Sequence, residues 1–254
     1  MYWQELASLE FGQIDRATPV VLPVAAVEQH GPHLPLATDR MIAEFFAENL
    51  NARFGSAVLI LPTIAVGCSE HHMDFPGSLT LRHETFSSVC DQFLMSARRH
   101  GFRNFLILNS HGGNRGVCQV LLERFGADHP ECRIAVASWW RAAAEELLPL
   151  NETGAGGVGH ACEFETSLML YIAPQSVRLG AVERRATIPT FDWAEEDLLR
   201  PSRVSLYRSM KQITPDGTWG DPTRATAAKG QQIAEIVCDA ISKVIRDLTI
   251  KSSF

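Results

Sequence analysis

The stretch Phe105-Leu106-Ile107-Leu108-Asn109-Ser110-His111-Gly112-Gly113-Asn114 runs from four large apolar residues into a polar, glycine-bearing turn. Val117, Val120, Leu121 and Phe125 then recur at helical spacing. That order is a short buried strand, a tight turn and an amphipathic helix. A histidine at the carboxyl end of such a strand stands where open α/β sheets place their ligands. The two glycines let the backbone approach a bound group closely. Free N–H groups at the helix start would also suit an anion. No Walker lysine follows, so the phosphate reading is the weaker one.

Working outward, residues 20–27, 57–66 and 133–140 read as further strands. Between them lie amphipathic patterns: Met41, Ile42, Phe45, Phe46 and Leu50 after a Thr38 N-cap, then Phe86, Val89, Phe93, Leu94 and Ala97 before a His100-Gly101 stop. A sustained stripe from Ile233 to Leu248 closes the chain. Strands alternating with helices predict an α/β fold, a mostly parallel sheet between helical layers. The glycine-rich residues 151–159 and the proline-bearing residues 187–221 read as loops.

The chain has 254 residues, 46% hydrophobic and 20% charged, which fits one domain over residues 1–254. With 23 basic against 29 acidic residues, and no basic stripe, neither nucleic acid nor an anionic membrane is the expected partner. The longest apolar run, residues 20–27, contains Pro23 and is too short to span a bilayer. Residues 1–11 lack a basic segment followed by an apolar one, and the six cysteines form no C-x-x-C pair. Reduced thiols in a cytoplasmic protein are the expectation.

Chemistry-bearing residues gather where strands end. Glu28 and His30, two apart, share a face if the strand continues to them, and Asp39 returns at the next helix. Carboxylate, imidazole and carboxylate suit Zn²⁺, Mn²⁺ or Fe²⁺, although surface acids and a turn histidine are the bland alternative. His111 ends the Phe105 strand. His160 precedes Glu163 and Glu165 at the start of the helix carrying Leu168, Leu170 and Ile172. Acids in a first helical turn often serve only the helix dipole, which leaves His160 unexplained. In Cys68-Ser69-Glu70-His71-His72-Met73-Asp74, adjacent side chains of an extended segment diverge, so at most one histidine should enter a given site. This segment reads as a loop on the substrate side or at an oligomer contact.

Glu28-x-His30 followed by Asp39, Phe75-Pro76-Gly77, Asn109-x-His111-Gly-Gly-Asn114 and His160-x-x-Glu163-x-Glu165-Thr166-Ser167 stand in the order found in the creatininase (creatinine amidohydrolase) family, which residues 23–173 resemble. The resemblance implies a three-layer α/β/α sandwich with two divalent metal ions at the strand tips. Glu28 and His111 would serve one ion and His30 the other, with Asp39 bridging. Water held between the ions would attack an amide carbonyl, and His160 would be the proton carrier. A homo-oligomer is also implied, hexamers being common in that family. Creatininase proper has a metal-binding glutamate where this chain has Gly113, and Glu163 is the expected replacement; Glu165 would be structural. Its pocket tryptophan and an acid beside the catalytic histidine are here Gly156 and Gly159, which would widen the pocket. Trp140 and Ser69 remain as substrate-side residues.

The expected activity is hydrolysis of a C–N bond in a small cyclic amide or formamide, creatinine not being the best substrate. Cleavage of a modified peptide by the same site is the alternative. A Cys162 or Cys68 nucleophile leaves the carboxylate and histidine set unexplained; a non-enzymatic sensor leaves the intact ligands and His160 unexplained.

Overall fold

In the computed structural model, which describes residues 1–184 and 186–249, the apolar runs become a parallel sheet. The elements follow as α1 (Ser8–Gly12), β1 (Val20–Val24), α2 (Thr38–Phe54), β2 (Leu59–Ile60), α3 (His83–Arg99), β3 (Asn104–Asn109), α4 (Arg115–Asp128), β4 (Arg133–Ser138), α5 (Trp139–Ala142), α6 (Ala144–Leu147), β5 (Val158–His160), α7 (Glu163–Ile172), α8 (Met210–Ile213), β6 (Trp219–Gly220) and α9 (Ala227–Thr249). The main sheet has the order β2-β1-β3-β4, all parallel, with Val20 opposite both Leu59 and Phe105, and Phe105 opposite Ile134.

Alternation along the strands separates two cores. Val20, Leu22, Val24, Phe105 and Ile107 pack on Phe86, Leu94, Leu121 and Phe125 of α3 and α4. Val21, Leu106 and Leu108 pack on the other face with α2, α7 and α9. Helices on both faces explain why the strands are apolar throughout rather than alternating with polar residues. α7 lies so close to α9 that a Cβ on Gly230 would meet the Ser167 carbonyl oxygen at 2.0 Å. The fold is α/β, a mostly parallel sheet between helical layers.

Several expected boundaries move. The ladder of β1 ends at Val24 and that of β2 at Ile60; Leu59 and Leu61 donate to the Pro19 and Val21 carbonyls, but Ile64 rather than Thr63 donates to that of Pro23, and an isolated bridge joins Val24 to Ile64. Trp139 and Trp140 begin a helix instead of ending a strand. Thr38 is the first helical residue, and its hydroxyl donates back to the Pro35 carbonyl at 2.6 Å. The two expected loops contribute β5 and β6, an antiparallel pair with His160 opposite Trp219. All six cysteines are free. No helix among the described residues is long and apolar enough to cross a membrane.

The chain moves from β1 outward to β2, then returns past β1 to β3 and on to β4. The sheet order therefore reverses between β1 and β3, which opens a crevice beyond their carboxyl ends.

Candidate active site

Both segments leaving that crevice carry candidate ligands. Asn109, at the end of β3, closes a turn that sets His111. Its Oδ1 accepts the His111 N–H at 3.1 Å, and its Nδ2 donates to the His111 carbonyl and to Ser138 Oγ. Asn114 ties three segments together: Nδ2 donates to the Ala25 carbonyl, while Oδ1 accepts the Cys68 N–H. Gly113 faces this knot, where a Cβ would stand 2.1 Å from the Cys68 oxygen and 2.5 Å from His111 Nε2. A carboxylate-bearing side chain has no room there in this backbone.

Asp39, at the start of α2, faces two ways. Its Oδ1 lies 3.2 Å from His30 Nε2 and its Oδ2 3.0 Å from His111 Nδ1. Glu28 Oε1 lies 3.2 Å from His111 Nδ1. Glu28, Asp39 and His111 form one buried trio and His30, His160 and Glu165 a second, each with three ligand atoms within 4.8 Å of one another. Glu28, His72 and His160 form a third such trio. Both Glu28 oxygens and Asp39 Oδ2 are buried without a hydrogen-bond partner; the neighbouring imidazole nitrogens are near but not aligned. Buried carboxylate oxygens need compensation. Carboxylates and imidazoles gathered around Asp39 are a donor set that suits divalent cations.

The ion-free electrostatics follow from burial and neighbours. Burial opposes charge on His30, but Asp39, Glu165 and Glu28 outweigh it and hold its pKa at about 9. His111 is likewise raised, against burial, by Glu28 and Asp39. Asp39 is held below the usual carboxylate range because His30 and His111 overcome its burial. Burial pushes Glu165 up to about 7. Burial and the neighbouring His30 push His160 down to about 3, and burial lowers His72. The Cys68 thiol is raised to about 11 by burial, and Cys162 is raised by the same cause. Neither has the depressed pKa of a thiolate nucleophile.

Glu28, His30, Asp39, His111 and His160 thus come together; Glu163 does not. Its buried carboxylate takes Lys229 Nζ, accepts from Thr153 Oγ1 at 2.7 Å and from the Glu152 N–H at 3.3 Å. Glu165 is the acid of α7 that reaches the centre, and its Oε2 also accepts the Ala161 N–H at 2.5 Å. Ala161, between His160 and Cys162, holds a left-handed φ of +50°. Ser69 lies fully buried, its Oγ 3.5 Å from His111 Nε2, and Trp140 packs edge-on to Trp139 in the core. Neither presents an open surface.

His72 was missed as a member of the centre. Glu70–His72 is a 3-10 turn rather than an extended segment, so both histidines turn inward: His72 Nε2 lies 3.2 Å from Glu28 Oε1, and His71 stacks on His111. The adjacent histidine pair was the available signal. Gly159 opens no space either. A Cβ there would meet the Trp219 oxygen at 2.6 Å and its indole at 2.7 Å, so Trp219 occupies the volume.

A curated mycofactocin precursor peptide peptidase of Mycobacterium tuberculosis is 32% identical, over 95% of this chain and 91% of that protein. Creatinine amidohydrolase of Pseudomonas putida is 28% identical, over 90% and 88%. The 3-dehydro-scyllo-inosose hydrolase of Thermotoga maritima is 25% identical, over 90% and 77%. A crystal structure of creatinine amidohydrolase superposes with a TM-score of 0.80 at 24% identity, covering 99% of this chain and 98% of that one. Creatininase structures of similar fold are designated as Mn and Zn-Zn types. With the family model described as creatinine amidohydrolase matching residues 1–245, the chain belongs to the creatininase family.

Proposed function

We propose that this creatininase-family hydrolase cleaves an amide C–N bond in a short, modified peptide at a centre of two divalent ions. The observation that carries the chemistry is Asp39, whose two carboxylate oxygens face two separate buried imidazoles. Glu28, Asp39 and His111 would hold one ion, and His30, Asp39 and Glu165 the other. Such a pair, when bound, makes water more acidic and polarises a carbonyl oxygen.

The chain's own residues carry the proton. His160 Nε2–H donates to the Gln29 carbonyl at 2.6 Å, so Nδ1 keeps its lone pair, 3.7 Å from Glu28 Oε1. A water oxygen bonds to the substrate carbonyl carbon and its proton passes to His160 Nδ1. That proton moves on to the departing nitrogen as the C–N bond breaks, leaving a carboxylic acid and an amine.

Two observations support a peptide. The relatives at 30–32% identity over most of the chain are named as peptidases of a precursor peptide. A cleft of about 720 Å³ also lies against β6, whose Trp219 pairs with His160; Gly156, Gly157, Trp219 and Asp221 line it among others, and none of the residues of the centre does. That volume exceeds what one small ring needs. A small cyclic amide or formamide is the second reading, favoured by the burial of the centre, where His160 is 8% exposed. Exposed Tyr207 and the stacked pair Phe191 and Trp193 support a homo-oligomer.

The test compares kcat/KM of protein loaded with Zn²⁺ or Mn²⁺ on modified peptides, creatinine, cyclic ureas and formamides. A peptide should lead, and a chelator should abolish turnover. If creatinine leads at about 10⁴ M⁻¹s⁻¹ or more, the peptide reading is wrong.

A further inference from the structure

Gln29 touches the two imidazoles of the centre, His160 and His72, that make no contact with Asp39. Its backbone carbonyl accepts His160 Nε2–H at 2.6 Å, and its side-chain nitrogen lies 2.8 Å from His72 Nδ1. The orientation of that amide is set independently, because its Oε1 accepts the Gly31 N–H at 2.9 Å. Turning the amide over would set an NH₂ against a backbone N–H. The NH₂ therefore faces His72 Nδ1, which must accept, and the His72 proton sits on Nε2. The Gln29 seat is closely built: its N–H donates to Ser78 Oγ at 3.1 Å, and a Cβ on Gly217 would lie 1.8 Å from its Oε1.

We infer that Gln29 fixes the Nε2–H tautomer of two imidazoles that turn different nitrogens to one centre, so that His160 offers the Nδ1 lone pair while His72 offers its Nε2–H to the reacting amide and is not a metal ligand. The inference rests on the two-ion reading above. His72 Nε2 stands 3.2 Å from Glu28 Oε1 without the alignment of a hydrogen bond, and its ring lies 4.4 Å from that of His160. An N–H held there is placed to donate to the carbonyl oxygen of an amide lying against His160, where charge builds up during attack. Gln29 is then a positioning residue for both imidazoles.

The decisive measurement is heteronuclear NMR of nitrogen-15-labelled protein loaded with cadmium-113. His30 and His111 should show scalar coupling to cadmium. His72 should show none and should carry its proton on Nε2. Coupling from His72, or a proton on its Nδ1, would overturn the inference alone. Absence of coupling from His30 and His111 would sink the two-ion reading instead. His72→Leu should keep both ions and lower kcat about 10²–10³-fold, the loss typical of one donor at a developing oxyanion. His72→Gln, which restores an N–H donor, should recover part of that loss. Loss of an ion in His72→Leu, or equal activity of the two variants, would refute the donor role.

Discussion

Glu163 and Glu165 stand two residues apart on one helix, and the structure assigns them different work, so replacing each by glutamine separates the two. Glu163→Gln keeps the shape and still allows Thr153 Oγ1 to donate, but it removes the charge opposite Lys229. Lys229 is only 7% exposed. Removing one partner of a buried ion pair typically costs about 3–5 kcal/mol. Here the ammonium keeps Glu152 at 2.7 Å and the Arg224 carbonyl at 3.2 Å, and Glu152 is solvent-accessible. The expected loss is therefore smaller, roughly 2–3 kcal/mol, which for a chain of this size lowers Tm by about 4–12 °C.

Both ions should stay in Glu163→Gln, since its carboxylate belongs to none of the ligand trios. Glu165→Gln should instead release one of the two ions. Elemental analysis of dialysed protein, together with thermal unfolding of the ion-free form, reads both quantities. One ion missing from Glu163→Gln with Tm unchanged would refute the assignment, and so would two ions retained in Glu165→Gln.

Ion loading should release protons. In the ion-free protein at pH 7, His30 (about 9) and His111 (raised) are protonated and Glu165 (about 7) is half so. All three must lose protons to bind a metal, so roughly two to three protons leave at pH 7 and affinity climbs as pH rises toward 9. Calorimetry in buffers of different ionisation enthalpy measures this, and release near zero would contradict the ligand set. His160→Ala should retain both ions and lose about 10²–10⁴-fold in kcat; loss of an ion would make His160 a ligand. Gly159→Ala should drive β5 and β6 apart at the Trp219 contact, costing about 1–3 kcal/mol by overpacking, and should lower kcat by displacing His160. Unchanged Tm and kcat would show that the strand pair has room to spare.

The sheet and its helices were legible because their apolar patterns are long enough to beat local accident. Glu28, His30, Asp39 and His111 could be grouped from the sequence because polar residues there follow the apolar runs that become β1 and β3 or open the next helix, and because they stand in the family's motif order. Two glutamates on a helix are harder to tell apart. Residues two apart point about 200° apart around the axis, so one faces the centre and the other away, but which one depends on how α7 docks. The deciding contact is Lys229, on a different helix and 66 residues from Glu163. His72 was hidden by the assumption of an extended segment, in which neighbouring side chains diverge. In the 3-10 turn Glu70–His72 one of the pair, His72, joins a ligand trio, while His71 stacks on His111. Trp140 reads as a pocket residue through the family resemblance; in the structure it is as buried as Glu28 and His30 and packs edge-on to Trp139.

Gly159 points to how this fold divides its labour. Read along the sequence, a glycine beside His160 is a missing side chain and an enlarged pocket. In three dimensions the space is filled by Trp219, a residue some sixty positions later in the C-terminal third, where the sequence resemblance is weak. The same stretch supplies most of the cleft wall next to β5, including Ile188, Asp192, Asp197 and Asp221. On the proposed function, the groups that would do the chemistry follow β1, β3 and β5 or open α2 and α7, where the sheet and the helix starts hold them. The groups that would meet the rest of a substrate lie on an irregular segment that can change without disturbing the sheet. On this architecture a single centre can serve a creatinine ring in one relative and a peptide in another. Exchanging residues 186–221 should accordingly alter substrate preference while the ion content stays at that of the parent.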